Sequence, residues 1–265
     1  MTQMSKSTDT NSDSRQVQGT AITVENASKS YRQADGSHLE VLRELSFEAE
    51  PGDFVSILGP SGCGKSTLLN LIADLEEPTS GSVTVGTDDG ETTVGFVFQE
   101  PRLLDWRTVR YNIEFGLKGM GIPESEWDER VDRYLELVNL SEFADEYPQS
   151  LSGGMKQRVA LARAMAIESD VILMDEPFGA LDEITARELR QDLVDIWQQE
   201  RKTIVFVTHN ALEAAFLSQR VLVLSQRPAR IVENRAVEKP HPRDLDDPDI
   251  VEVSEECVDV LQEYI

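Results

Sequence analysis

Short apolar runs separated by polar stretches organise this chain, and the runs change character along its length. Ala21-Ile22-Thr23-Val24 and Leu45-Ser46-Phe47-Glu48-Ala49 have strand length, and Gln33-Ala34-Asp35-Gly36 between them carries turn chemistry. Phe54-Val55-Ser56-Ile57-Leu58 is the pattern of a buried strand, and it runs into a glycine-rich loop. Behind that loop Leu68, Leu69, Leu71, Ile72 and Leu75 fall at helical spacing until Pro78-Thr79-Ser80-Gly81 breaks the pattern. Strand-like segments continue to Gln99. From about residue 100 to 166 strand character fades; Ile122 to Leu140 predicts a charged amphipathic helix and Gly154 to Ala166 an Ala- and Arg-rich one. A strand, helix, strand order then returns at 171–175, 184–199, 203–208 and 221–225, which implies a mainly parallel sheet with covering helices. Residues 1–19 read as a disordered polar tail, and 238–265 as an acidic tail containing one short amphipathic helix around Ile250 to Leu261.

Composition narrows the classes. The 265 residues are 40% hydrophobic, enough for a packed core, but no apolar run approaches the roughly 20 residues of a membrane-spanning helix. The first 20 residues lack the apolar segment of a secretory signal. Any work at a membrane is therefore expected through a partner. The two cysteines, Cys63 and Cys257, are expected as reduced thiols in a cytoplasm. The net charge of −24 argues against nucleic acid as a partner, which wants a basic surface. Dense carboxylates with only seven lysines suit a high-salt cytoplasm, where repulsion is screened.

The candidate chemistry begins in the glycine-rich loop. Gly59-Pro60-Ser61-Gly62-Cys63-Gly64-Lys65-Ser66-Thr67 matches the spacing of a phosphate-binding P-loop between strand and helix. Its backbone N–H groups and the helix start favour an anion. Lys65 supplies a charge for the β/γ-phosphates and Ser66 a hydroxyl for Mg²⁺. Val171-Ile172-Leu173-Met174-Asp175-Glu176 is a buried strand ending in two carboxylates: Asp175 for the metal shell, Glu176 as general base toward water. His209 follows the next apolar strand and is expected at the same sheet edge. Ser152-Gly153-Gly154 opens a helix, with Ser152 as its cap, and is a candidate second phosphate element.

Together these motifs resemble the nucleotide-binding subunit of an ABC transporter from about Ala21 to Val232, which implies an ATPase domain over 20–237. Leu151–Gln157 is similar to that family's signature segment, with Met155 where Gln is usual. Gln99 resembles the Q-loop glutamine, Gly179-Ala180-Leu181-Asp182 the D-loop, His209 the switch histidine and Tyr31 the aromatic that stacks on adenine. The resemblance implies a P-loop NTPase core of α/β class, an N-terminal antiparallel β subdomain and an inserted helical subdomain. It implies ATP and Mg²⁺, with Gln99 in the metal's surroundings, and a head-to-tail dimer. In that dimer one copy's Lys65 and the other's Ser152 meet one ATP, and Asp182 lies across the seam.

The segments Val97–Val109, Asp175–Asp182 and Phe206–His209 resemble importers of nitrate, sulfonates and taurine. The partners implied are membrane permease subunits and, indirectly, an extracytoplasmic solute-binding protein, with the chain at the cytoplasmic face. Leu103, Leu104 and Trp106 are then candidates to meet the permease. Asp105 and Asn210 depart from the subfamily, which more often has Pro and Asp there. An exporter subunit and a soluble ABC ATPase are the alternatives; fused membrane helices or tandem cassettes, absent here, would mark them. The Cys63 thiol is expected where its oxidation would block phosphate entry.

Overall fold

A computed structural model describes residues 19–86 and 92–264. The sequence expectation of a disordered tail over 1–19 therefore lies, but for Gly19, outside the described residues.

Two sheets form the scaffold. In the first, β1 (Ile22–Arg32) pairs antiparallel with β2 (His38–Ala49) and β4 (Ser80–Val85), in the order β2-β1-β4. The second is built on β3 (Phe54–Leu58), β5 (Val94–Val97), β6 (Val171–Asp175), β7 (Thr203–Thr208), β8 (Arg220–Leu224) and β9 (Ile231–Ala236), in the order β5-β6-β7-β3-β8-β9. Its strands are parallel except β9, which turns back on β8. Every residue of β3 and β7 is buried, because layers cover both faces; unbroken apolar runs are the mark of such strands.

The sheet separates two apolar cores. Phe54 and Leu58 face one core with α4 (Gly153–Ala166) and α5 (Glu183–Glu200); Val55 and Ile57 face the other with α1 (Lys65–Ile72) and the antiparallel sheet. The edge-on contacts of Phe54 with Trp197 (5.8 Å) and Phe206 (6.2 Å) fill the first core. Burying each such ring stabilises the fold by about 1.5–3 kcal/mol.

Between β5 and β6 lies a helical insertion. It contains α2 (Val109–Gly119), α3 (Trp127–Leu137) and α4. The stretch Ile122 to Leu140, expected as one helix, is broken: a 3-10 turn at Glu124–Glu126 precedes α3, which stops at Leu137. Pro123 before that turn explains the late start.

The C-terminal segment holds the amphipathic helix expected there, but it packs as part of the fold and is not a separate tail. Beyond α6 (Ala211–Leu217) and β9, α7 (Pro248–Glu263) packs back on α6 with Ile250 and Cys257 buried. Arg243 fixes the approach: its buried guanidinium donates to the carbonyls of Lys239, Val237, Ala215, Phe216 and Ser218. It thus satisfies carbonyls that the end of α6 leaves without helical partners.

Candidate functional site

The C-terminal ends of β3, β6 and β7 lie side by side, since these strands are parallel neighbours in register. That edge is where ligands sit in such sheets. An open cleft of about 650 Å³ occurs there, lined by Tyr31, Leu39, Val41, Ser61, Gly62, Gly64, Lys65, Ser66, Thr67, Asn70, Glu76, Gln99, Asp175, Glu176 and Arg227.

The loop between β3 and α1 is set by its glycines. Gly62 and Gly64 have φ of 75° and 129°, backbone that side chains resist. A Cβ on Gly64 would come within 2.8 Å of Val41 and Leu42, so the antiparallel sheet presses directly on the loop. Between the two glycines the Cys63 side chain turns inward to the core and is 2% exposed. The thiol therefore lies beneath the loop, away from the cleft, contrary to its expected position at the phosphate entrance. Burial also pushes it up from the ordinary thiol range.

Lys65 reaches back over the loop. Its Nζ donates to the carbonyls of Gly59 (2.9 Å) and Pro60 (3.2 Å) and lies 3.3 Å from Glu176 Oε1. The other Glu176 oxygen meets His209 Nδ1 at 2.9 Å. Glu176 thus bridges the P-loop lysine and the histidine after β7. Its backbone is left-handed, φ 44°, held by its N–H to the Val207 carbonyl at 3.0 Å. A non-glycine residue in this conformation is strained, and strain of this kind gathers at functional sites. Burial raises the Asp175 carboxyl, while a hydrogen bond from the Ser66 hydroxyl pulls it back.

The cleft also gathers Tyr31 and Gln99. Tyr31 is half-buried and donates to Glu76 Oε2 at 2.6 Å; burial, then Glu76, raises its phenol. A Cβ on Gly179 would lie 3.1 Å from Gln99 Nε2, so the glycine leaves that amide its room.

Ser152, Gly153, Gly154 and Asp182 stand outside this cleft. Ser152 Oγ accepts from Met155 N at 3.3 Å, capping α4. Asp182 accepts from Thr185 N at 3.1 Å, capping α5, and its carboxyl is lowered mainly by the bonds from Thr185. The two starts pack together: a Cβ on Gly153 would meet Leu181, and one on Gly154 would meet Thr185.

Sequence reasoning missed the support behind His209. Glu213, buried on α6, accepts from Thr208 Oγ1 and from Arg190 Nε, and Thr208 Oγ1 in turn accepts from Asn210 N. Asn210, the departure noted above, caps α6 by accepting from Glu213 N at 3.1 Å, which an Asp would do equally. Spacing at Thr208, Asn210 and Glu213 fits a cap, but Arg190 comes from a distant helix.

A parallel sheet with a P-loop, a carboxylate pair and a histidine on one edge defines a nucleotide-hydrolysing cassette. The ABC transporter family model matches residues 42–179. A nitrate import ATP-binding protein of Synechocystis sp. is 47% identical over 205 residues, covering 75% of this chain and 76% of its own. An aliphatic sulfonates import ATP-binding protein of Bacillus cereus is 39% identical over 252 residues, covering 92% and 95%. Among solved structures, a dimeric ATP-binding cassette in a post-hydrolysis state with ADP and Pi matches with a TM-score of 0.69 at 30% identity, over 83% of this chain and 100% of that one. The chain belongs to the ABC transporter family, as an ATP-binding subunit.

Proposed function

We propose that this chain hydrolyses ATP in a composite dimer site to energise import of a small oxyanion or organic anion of the nitrate, sulfonate and taurine kind. The observation that carries the hydrolytic reading is the double contact of Glu176 with Lys65 and His209 at the sheet edge beside the P-loop cleft.

In this reading Lys65 leaves its loop carbonyls for the β/γ-phosphates, and backbone N–H groups of Ser61 to Thr67 hold the rest of the chain. Ser66, Asp175 and Gln99 are hard oxygen donors suited to Mg²⁺. Bound there, Mg²⁺ supplies charge neutralisation on the phosphoryl oxygens. Glu176 takes the proton of the attacking water, and His209 orients that water or the γ-phosphate. Tyr31 stacks on the adenine. Ser152, Gly153 and Gly154 act on the ATP of a second, head-to-tail copy, with Asp182 at the seam.

Among the described residues no helix is long and apolar enough to cross a membrane. Coupling runs through the helical insertion to permease subunits at the cytoplasmic face. Trp106 is 71% exposed and Phe115 51%, while Leu103 and Leu104 are half-buried. Buried Asn112 fixes the loop that displays Trp106, exchanging hydrogen bonds with Leu104 and donating to the Arg107 and Thr108 carbonyls. An extracytoplasmic binding protein supplies the solute.

The test is reconstitution of the chain with its permease and binding protein in vesicles. Stimulation of Mg²⁺-dependent ATP hydrolysis by nitrate, taurine or an alkyl sulfonate is expected. Hydrolysis unaffected by all of them contradicts the solute class.

A further inference from the structure

We propose that Arg227 is a nucleotide-binding residue that sets ATP affinity from the outer rim of the cleft; this rests on the reading of the cleft as the ATP site. Arg227 belongs to the connection between β8 and β9, outside every motif above, yet it lines the same cleft as the P-loop. Its guanidinium donates to the Gly62 carbonyl at the tip of the loop.

Electrostatics give the residue its task. The cleft is lined by three carboxylates, Glu76, Asp175 and Glu176, of which Glu76 is paired with Lys29 behind it at 3.1 Å, against two lining cations, Lys65 and Arg227. Lys65 already faces Glu176 at 3.3 Å. A triphosphate brings several further negative charges into this cleft, on a chain whose net charge is −24. An exposed guanidinium at the rim is the group placed to offset them, and its planar fork suits phosphate oxygens.

The connection that carries Arg227 is itself held in place, and the guanidinium is tied by its bond to Gly62. Ala229, fully buried, donates to the Val41 carbonyl (2.8 Å) and accepts from Arg43 N (3.0 Å), tying the connection to β2. Ser225 N to the Arg230 carbonyl and Arg230 N to Ser225 Oγ, both 3.0 Å, close the turn. The P-loop and β2 are two walls of the cleft, and the connection touches both, through Arg227 on Gly62 and Ala229 on Val41 and Arg43. A group held this way loses little freedom on meeting its ligand.

Arg227→Ala and Arg227→Gln separate charge from shape, because Gln retains a donor for the Gly62 carbonyl without the charge. The measurement is equilibrium binding of ATP and ADP, with Mg²⁺, to the full chain, together with its melting temperature. Both variants are expected to bind both nucleotides roughly tenfold more weakly, with the melting temperature unchanged. Wild-type affinity in either variant, or a loss of affinity matched by a loss of melting temperature, overturns the proposal. A wild-type chain that binds neither nucleotide would instead overturn the reading of the cleft.

Discussion

Lys65 and Ser152 each stand at the start of a helix with free backbone N–H groups, yet their surroundings differ. Around Lys65 the fold has assembled a walled set of groups from three separate stretches of chain: the P-loop itself with its carbonyls and Ser66, the Asp175-Glu176 pair, and Arg227 at the rim. Around Ser152 the described residues supply its own helix and the start of α5. The first start is a walled cleft. The second is an exposed cap with no opposing wall among the described residues, and a second copy is what would supply one.

That contrast is open to attack at several strengths. The largest effect belongs to Glu176→Gln, which removes the base but keeps size and a hydrogen bond. Turnover is expected to fall about 10²–10⁴-fold, with ATP still bound and a dimer accumulating on gel filtration. Turnover near wild type would remove Glu176 from the role of base. A smaller effect follows from Ser152→Ala. The lost cap costs about 1 kcal/mol of stability, ATP affinity of the separated copy stays within about twofold, and turnover falls roughly tenfold. Weakened binding in the separated copy would mean that Ser152 works on its own chain's nucleotide.

The smallest effect lies far from both helix starts. His241 packs against Trp197 and Phe216, and burial, aided by Arg243 and Arg201 and opposed by Asp195, pushes it down to about 4. Unfolded, the imidazole takes its proton near its ordinary value of 6.5. Unfolding therefore gains a proton between these values, and stability drains away as pH falls from 6.5 toward 4. His241→Gln should flatten part of that decline in a melting curve series. An unchanged decline would place the acid sensitivity elsewhere.

The same contrast marks what was legible in the sequence. The P-loop, Asp175, Glu176 and His209 are legible because each follows directly on an apolar strand, and parallel strands must end at one edge. The inward turn of Cys63 depends on the φ angles of its glycine neighbours, which a motif does not display. Helix α2 carries two glycines and mixed polarity, so its periodicity was hidden. The docking of α7 depends on Arg243 finding five carbonyls, a contact between segments that no local pattern announces. Arg227 was silent for the same reason: its partner Gly62 lies 165 residues away.

The central claim is that the working site is shared between two copies. Chains carrying Lys65→Ala and chains carrying Ser152→Glu are each expected to be nearly inactive alone. Mixed, they form dimers in which one copy's intact P-loop meets the other's intact Ser152 segment, so Mg²⁺-dependent ATP hydrolysis should reappear in the mixture. If the mixture stays as inactive as its two components while dimers still form, the site is not shared and the account fails.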